Sequence, residues 1–144
     1  MFIPDKIQLY ELLPKDFYKE NFPVHGAKLW MMFDNRLLLT LHEMRKEFGV
    51  VYLNNWYWGG PTQYRGWRPM DYDSTLSQHK FGRAADMKFK NASAEAVRFA
   101  ILASPYSKAF KYISGLEMDV SWVHIDVGNR NRNTEFGGIE KFSK

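Results

Sequence analysis

Ten consecutive residues decide the fold of this chain: Ser77-Gln78-His79-Lys80-Phe81-Gly82-Arg83-Ala84-Ala85-Asp86. A second informative stretch follows at Trp122-Val123-His124-Ile125-Asp126-Val127. Two histidines and one carboxylate, carried by two strand-like segments, form the ligand set of a zinc site that keeps one position open. The sequence therefore predicts a Zn²⁺ site formed by His79, Asp86 and His124.

The residues between the predicted ligands suit this arrangement. Gly82 allows a sharp turn after His79, and the small Ala84 and Ala85 allow the following strand to approach closely. On the last strand Trp122, His124 and Asp126 share one face because they are spaced by two. Other roles stay open for single residues, since a lone histidine in a strand is commonly structural and Asp86 could pair with Arg83 at the surface.

The two stretches resemble motifs of a known family. Ser77-x-His79-x-x-Gly82-x-Ala84-x-Asp86 is similar to the SxHxxGxAxD signature of the M15 zinc peptidases. These include D-alanyl-D-alanine carboxypeptidases, dipeptidases and phage endolysins, and the hedgehog signalling domain shares their fold. Trp122 to Val127 resembles the WVHxDV ending of the branch with phage and bacterial cell-wall peptidases, and Gly66-Trp67-Arg68 lies where that branch has GYR. The resemblance extends from about Leu38 to Val127.

The resemblance implies an α+β fold, in which a small antiparallel sheet carries the metal on one face and helices pack on the other. It also implies roles for individual residues. Arg68 would bind the substrate and steady the oxyanion, with Arg65 as the alternative and a surface arginine stacked on Trp67 as the neutral interpretation. Further substrate-binding candidates are Trp67, Ser77 and Trp122, although Ser77 is expected to bond locally.

The general base is the least defined part of this site. Several M15 members carry Glu or Asp three residues before the last histidine, where this chain has Ser121. The nearby carboxylates are Glu117, Asp119 and Asp126. Asp119 is the first candidate, because other members carry a catalytic histidine at its offset. Asp126 is the rival candidate, and a carboxylate that orients a ligand histidine is its alternative role.

The remaining patterns outline the secondary structure. Apolar residues at three- and four-residue steps predict a main helix over residues 28–48 that ends at Gly49. A short helix is possible around residues 14–19, with Pro14 in its first turn. Strands are expected at 50–54, 84–89, 111–114 and 120–127, the last two antiparallel and joined through Gly115. Ser93 caps a predicted helix over 94–103, and 106–110 adds a turn. Residues 55–76 form a long loop, in which Trp56, Tyr57 and Trp58 are either a sugar- or peptide-stacking platform or core residues.

Composition limits the class of protein. The 144 residues suggest one domain, residues 1–144, with an N-terminal strap over 1–26 and a loop-like tail over 128–144. The net charge of +4 comes from scattered lysines and arginines, so no nucleic-acid partner is expected. The absence of cysteine excludes disulfides and thiolate ligands. Neither a signal peptide nor a membrane-spanning stretch is apparent, which predicts synthesis in the cytoplasm without membrane insertion.

These observations favour one function. The chain is expected to be a zinc metallopeptidase, a hydrolase of peptide bonds in peptidoglycan, as an endopeptidase or D,D-carboxypeptidase of the phage endolysin type. Its partner would be bacterial peptidoglycan, reached after release from the cell or as part of a virion. The alternative is a non-catalytic binding or virion structural module that retains the zinc fold. Oligomeric state is left open.

Overall fold

The computed structural model describes residues 1–72, 76–128, 130 and 138–144. In this part of the chain three α-helices and five β-strands make an α+β fold. The helices are α1 (Lys15–His25), α2 (Asn35–Phe48) and α3 (Ala94–Ala103). The strands are β1 (Val51–Tyr52), β2 (Ala84–Phe89), β3 (Gly115–Glu117), β4 (Val123–Asp126) and β5 (Glu140–Phe142). None of the described helices is long and apolar enough to cross a membrane.

Helix α2 buries its apolar stripe in the core, but it starts later than predicted. Asp34 is extended, and its side chain accepts a hydrogen bond from the Arg36 amide, so it caps the helix. Residues Gly26–Met32 form a separate 3-10 helix instead of the first turns of α2. Spacing of three residues suits both kinds of helix, which is why the prediction over 28–48 merged them. The predicted end is confirmed, since Gly49 follows with a φ of 84°.

The sheet has the order β1-β2-β4-β3-β5, with antiparallel pairs except between β3 and β5. It is therefore mixed, and the expectation of a wholly antiparallel sheet is wrong. The parallel edge comes from β5, which lies in the segment predicted as a loop-like tail. Glu140 pairs with Gly115 and Phe142 with Glu117. The rest of that tail falls largely outside the described residues.

Several predicted elements change in length. The strand over 84–89 and the helix over 94–103 are confirmed, and Ser93 Oγ accepts a hydrogen bond from the Ala96 amide. The predicted strand at 111–114 is wrong: this segment is tied into turns, where Lys111 N donates to Ser107 O and Ile113 N to Phe110 O. The strands expected at 50–54 and 120–127 shorten to β1 and β4.

The N-terminal segment is part of the core rather than a simple strap. Its buried apolar residues are Ile7, Leu9, Leu12 and Leu13. The α1 helix is longer than expected, and Pro14 precedes it as the cap residue instead of lying in its first turn. The Leu12 carbonyl accepts a hydrogen bond from Trp67 N at 2.8 Å. The segment thus holds the long loop that leads into the motif from Ser77 to Asp86.

Candidate metal centre

Three predicted ligands, His79, Asp86 and His124, meet at one point of the sheet. His79 lies in a short 3-10 helix, Gln78–Phe81, immediately before β2. Asp86 in β2 and His124 in β4 are directly paired in the antiparallel register. One potential ligand atom from each of the three lies within 4.8 Å of the others. All three residues are buried, and two of them, His79 and His124, line a cavity.

The turn that carries His79 depends on its two ends. Ser77 Oγ accepts a hydrogen bond from His79 N at 3.4 Å, so the serine acts locally at the start of the turn. Gly82 ends the turn in the left-handed conformation, with a φ of 66°. A Cβ at Gly82 would collide with the carbonyl oxygen of Met32. Both conformation and space therefore require glycine here.

The His79 ring is oriented by a backbone carbonyl. Its Nδ1 lies 2.8 Å from the Gly66 carbonyl oxygen, which can only accept, so Nδ1 carries the proton. In the neutral ring Nε2 is the unprotonated nitrogen, and it lies 3.4 Å from Asp86 Oδ2. Burial lowers the pKa of His79 despite the neighbouring Asp86 carboxylate. This is the tautomer that can offer Nε2 to a metal.

His124 bridges two carboxylates. Its Nδ1 lies 2.8 Å from Asp86 Oδ1, and its Nε2 lies 3.2 Å from Asp126 Oδ2. Burial opposes the charged ring, but hydrogen bonds to Asp126 and Asp86 outweigh it and raise the pKa of His124 to about 9. The same contacts with His124 and His79 overcome desolvation and lower the pKa of Asp86. A cation bound by Asp86 and His124 would replace one imidazole proton.

Asp126 is held from the other side by Arg130. The Arg130 Nε and Nη2 groups donate to the two carboxylate oxygens of Asp126 at 2.8 and 2.9 Å. Asp126 is fully buried, and Gly115 lies opposite, where a Cβ would collide with its carboxylate. Although burial opposes ionisation, the bonds from His124 and Arg130 lower the pKa of Asp126. This geometry suits a carboxylate that orients the His124 ring.

The cavity above this group has a volume of about 380 Å³. Its lining includes His79, His124 and Asp126, together with Glu140 and Phe142 from β5. The Phe142 ring meets the His124 ring edge-on, with 5.5 Å between centroids. Sequence reasoning missed Glu140, because it placed this segment in a loop. No period-two alternation marks it, because two adjacent charged residues, Glu140 and Lys141, stand between Ile139 and Phe142.

The predicted substrate-binding arginines have structural partners. Arg68 Nη2 donates to Asp86 Oδ2 at 3.1 Å, and Arg68 Nε donates to the Tyr64 carbonyl at 2.7 Å. Arg68 therefore contacts a predicted metal ligand directly. Arg65 donates from Nη1 to the Leu53 carbonyl at 3.2 Å, and its own carbonyl accepts from Asp86 N at 2.8 Å. Both arginines help to place Asp86.

The contacts described for the other predicted site residues are with residues outside the donor set. The Trp67 ring packs on Phe17, with 4.7 Å between centroids. The Trp122 carbonyl accepts a hydrogen bond from Arg98 Nη1. Asp119 is exposed and accepts a hydrogen bond from Ser143 Oγ at 2.8 Å. Asp119 adopts a positive φ of 62°, in the turn before β4.

Comparison of the chain with family models, curated proteins and solved structures finds no match. Its function is therefore inferred from the donor set, the cavity and the sequence motifs.

Proposed function

We propose that this chain is a zinc-dependent metallopeptidase that hydrolyses peptide bonds of bacterial peptidoglycan, as phage endolysins do. The observation that carries the proposal is the buried group of His79, Asp86 and His124, whose potential ligand atoms lie within 4.8 Å of one another. The resemblance of both motifs to those of M15 peptidases supports the choice of reaction and substrate.

The donor set fits zinc. Two imidazole nitrogens and one carboxylate are a common catalytic zinc set, which leaves a position for water or substrate. The Gly66 carbonyl selects the His79 tautomer whose Nε2 is available. A bound zinc ion would polarise the scissile carbonyl and lower the pKa of a water molecule.

The surrounding residues act on the ligands. Asp126 accepts a hydrogen bond from His124 Nε2 and leaves Nδ1 beside Asp86. Arg68 holds the Asp86 carboxylate, which is the role that its contacts support in place of direct substrate binding. These contacts fix the orientation of all three ligands before substrate arrives.

Three described carboxylates are candidates for the general base. Glu140 lines the cavity with its side chain 43% exposed, and its Oε1 lies 3.5 Å from Arg130 Nη1. Asp126 is fully buried and accepts hydrogen bonds from Arg130 at both carboxylate oxygens, whereas Glu140 keeps one oxygen outside its Arg130 contact, and Asp119 is exposed beside Ser143. We therefore assign proton transfer to Glu140, with Asp119 and Asp126 as the alternatives.

The test combines zinc content with the release of new amino termini from purified peptidoglycan. The wild type is expected to hold close to one zinc per chain and to cleave the wall. His124→Ala should lose both properties, whereas His25→Ala, at an exposed histidine of α1, should retain them. Absence of zinc from the wild type at saturating metal would contradict the proposal.

Three further variants identify the base. Glu140→Gln is expected to keep zinc and lose cleavage by about 100-fold or more, as removal of a general base does. Asp119→Asn should keep both zinc and activity. Asp126→Asn should weaken zinc binding by roughly 10–100-fold, because it removes the partner of a ligand histidine. Loss of cleavage with intact zinc in Asp119→Asn alone would move the base to Asp119.

The alternative function is a non-catalytic binding module with a retained zinc fold. Ser121 at the usual position of the base and the Arg130 pair on Asp126 favour it. Stoichiometric zinc without cleavage of several types of cell wall would support this alternative and reject the peptidase.

A further inference from the structure

A second cleft lies against β1, and its described lining shares no residue with the cavity of the metal centre. Its volume is about 540 Å³. The N-terminal segment, α2, β1 and the start of the long loop all contribute to it. Its lining includes Tyr10, Glu11, Arg45, Tyr52, Asn55 and Trp58.

Tyr10, Tyr52 and Trp58 bring aromatic rings to this cleft, and Tyr57, which is not part of its lining, contacts Tyr10 and Trp58. Tyr10 and Tyr57 stack with 3.9 Å between centroids and 16° between ring planes. Trp58 meets Tyr10 edge-on at 5.5 Å and Tyr57 edge-on at 5.7 Å. Trp58 is nevertheless 62% exposed, and Tyr52 on the edge strand is 49% exposed. Trp58 is thus held by two neighbouring rings while most of its surface stays exposed, and Tyr52 adds a second exposed ring to the same cleft, which indicates a binding surface.

The loop that presents these rings is anchored below them. Trp56 is buried, and its Nε1 donates to the Leu13 carbonyl at 2.8 Å. Asn55 and Thr62 close the base of the loop by reciprocal hydrogen bonds, Asn55 N to Thr62 Oγ1 and Thr62 N to Asn55 Oδ1, both at 2.9 Å. The arrangement of the rings is thus preformed, which reduces the entropy lost on binding.

Hydrogen-bond donors and acceptors line the remainder of the cleft. The buried Glu11 carboxylate accepts a hydrogen bond from Gln8 N at 2.8 Å, and the carboxylate is an acceptor. Lys6 and Arg45 bring donors, and Asn55 brings an amide. An acyl chain in this cleft would cover these charged groups without pairing them, which is costly. A ligand with many neutral donors and acceptors avoids that cost.

We propose that this cleft is a saccharide-binding site that holds a short stretch of pyranose glycan. A pyranose ring has an apolar C–H face, which suits an exposed tryptophan or tyrosine ring. Its rim of hydroxyl groups both donates and accepts, which suits Glu11, Arg45 and Asn55. The choice of an N-acetylated glycan rests on the proposed action on peptidoglycan, whereas the saccharide site itself does not depend on the metal centre.

The test is a calorimetric titration of the full chain with chitotetraose, an N-acetylglucosamine tetramer, and with cellotetraose. Chitotetraose is expected to bind. Trp58→Ala should weaken that binding by about tenfold or more, since a central aromatic anchor contributes more than 1 kcal/mol. Tyr106→Ala, at a more exposed ring outside the cleft, should bind as the wild type does. Circular dichroism checks that both variants are folded.

The outcomes separate this proposal from the proposed function. Chitotetraose binding by His124→Ala, together with its loss in Trp58→Ala, would establish the site independently of zinc or cleavage. Binding of cellotetraose alone would support the saccharide site and overturn the choice of an N-acetylated glycan. Failure of both sugars to bind at millimolar concentration, or equal binding by Trp58→Ala, would overturn the site even if peptidoglycan is cleaved.

Discussion

The metal centre and the aromatic cleft differ in how their side chains are held. In the metal centre each imidazole nitrogen has a polar neighbour, and the side chains of His79, Asp86 and His124 are at most 12% exposed. In the cleft, Trp58 is held by the Tyr10 and Tyr57 rings and leaves more than half of its surface in solvent. Burial with full pairing orients donors for a small ion, whereas exposure leaves ring faces available to a larger ligand.

The largest expected loss of stability comes from replacing Trp56, the buried residue that anchors the loop of the aromatic cleft. Trp56→Ala should destabilise the protein by about 3–5 kcal/mol, because it empties a buried site and removes the Nε1 hydrogen bond to Leu13. Trp58→Ala, the adjacent exposed tryptophan, should change stability by no more than about 0.5 kcal/mol. Urea denaturation of the two variants measures the difference. Equal losses would contradict the division between a buried anchor and an exposed platform.

A somewhat smaller loss of stability is expected from replacing Gly82, which ends the turn that carries His79. Gly82→Ala should cost about 3 kcal/mol, since it combines a left-handed backbone with a collision against Met32. Gly59→Ala in the aromatic loop is the matched control. Its φ is 88°, but no atom lies within 4 Å of the added Cβ, so about 1–2 kcal/mol is expected.

Thermal denaturation and zinc titration of both glycine variants provide the readout. Gly82→Ala should also weaken zinc binding, because the turn that carries His79 would shift, while Gly59→Ala should not. An unchanged zinc affinity in Gly82→Ala would show that the His79 turn does not depend on this glycine.

The smallest expected change in stability concerns Asp34, the cap residue of α2, which contacts the turn that carries His79. Asp34 N donates to the Gly82 carbonyl at 2.9 Å, and the Asp34 side chain caps the helix. Asp34→Ala should cost about 1 kcal/mol of stability, with little change in zinc binding. Asp34→Asn retains the capping amide oxygen and should lose less.

The Asp34 effect should depend on pH. Hydrogen bonds from Arg36 hold the pKa of Asp34 below the ordinary value of 3.8. Its ionised form therefore stabilises the fold above that pH, and this stabilisation is lost as pH falls through the lowered pKa. The stability difference between the wild type and Asp34→Asn should shrink in acid. A difference that grows below pH 3.8 would contradict this sign.

Much of the metal centre was predictable from the sequence because its information is local. His79, Gly82 and Asp86 lie within eight residues, and their spacing predicts a turn that returns the chain along a strand. The alternation in β4 places His124 and Asp126 on one face. The structure brings these side chains together as the pattern indicates, while their assignment to zinc stays a proposal.

Long-range pairing accounts for what the sequence did not predict. The β5 strand is three residues long, and only its parallel pairing with β3 brings Glu140 and Phe142 to the cavity. The adjacent Trp56, Tyr57 and Trp58 have no periodicity that separates the buried ring from the exposed ones. Likewise, the partner of Arg68 depends on the path of the long loop, which no local pattern encodes.

The direct pairing of Asp86 with His124 has a consequence for folding. These residues are 38 positions apart, yet they are opposite each other in the β2–β4 ladder. A slip of one residue would turn one of the two side chains to the other face of the sheet. Helices α2 and α3 can form from local contacts, whereas this pairing must close a long loop first. During refolding, the donor set therefore forms only when β2 and β4 pair in their native register. Any metal binding by these residues would report that late step.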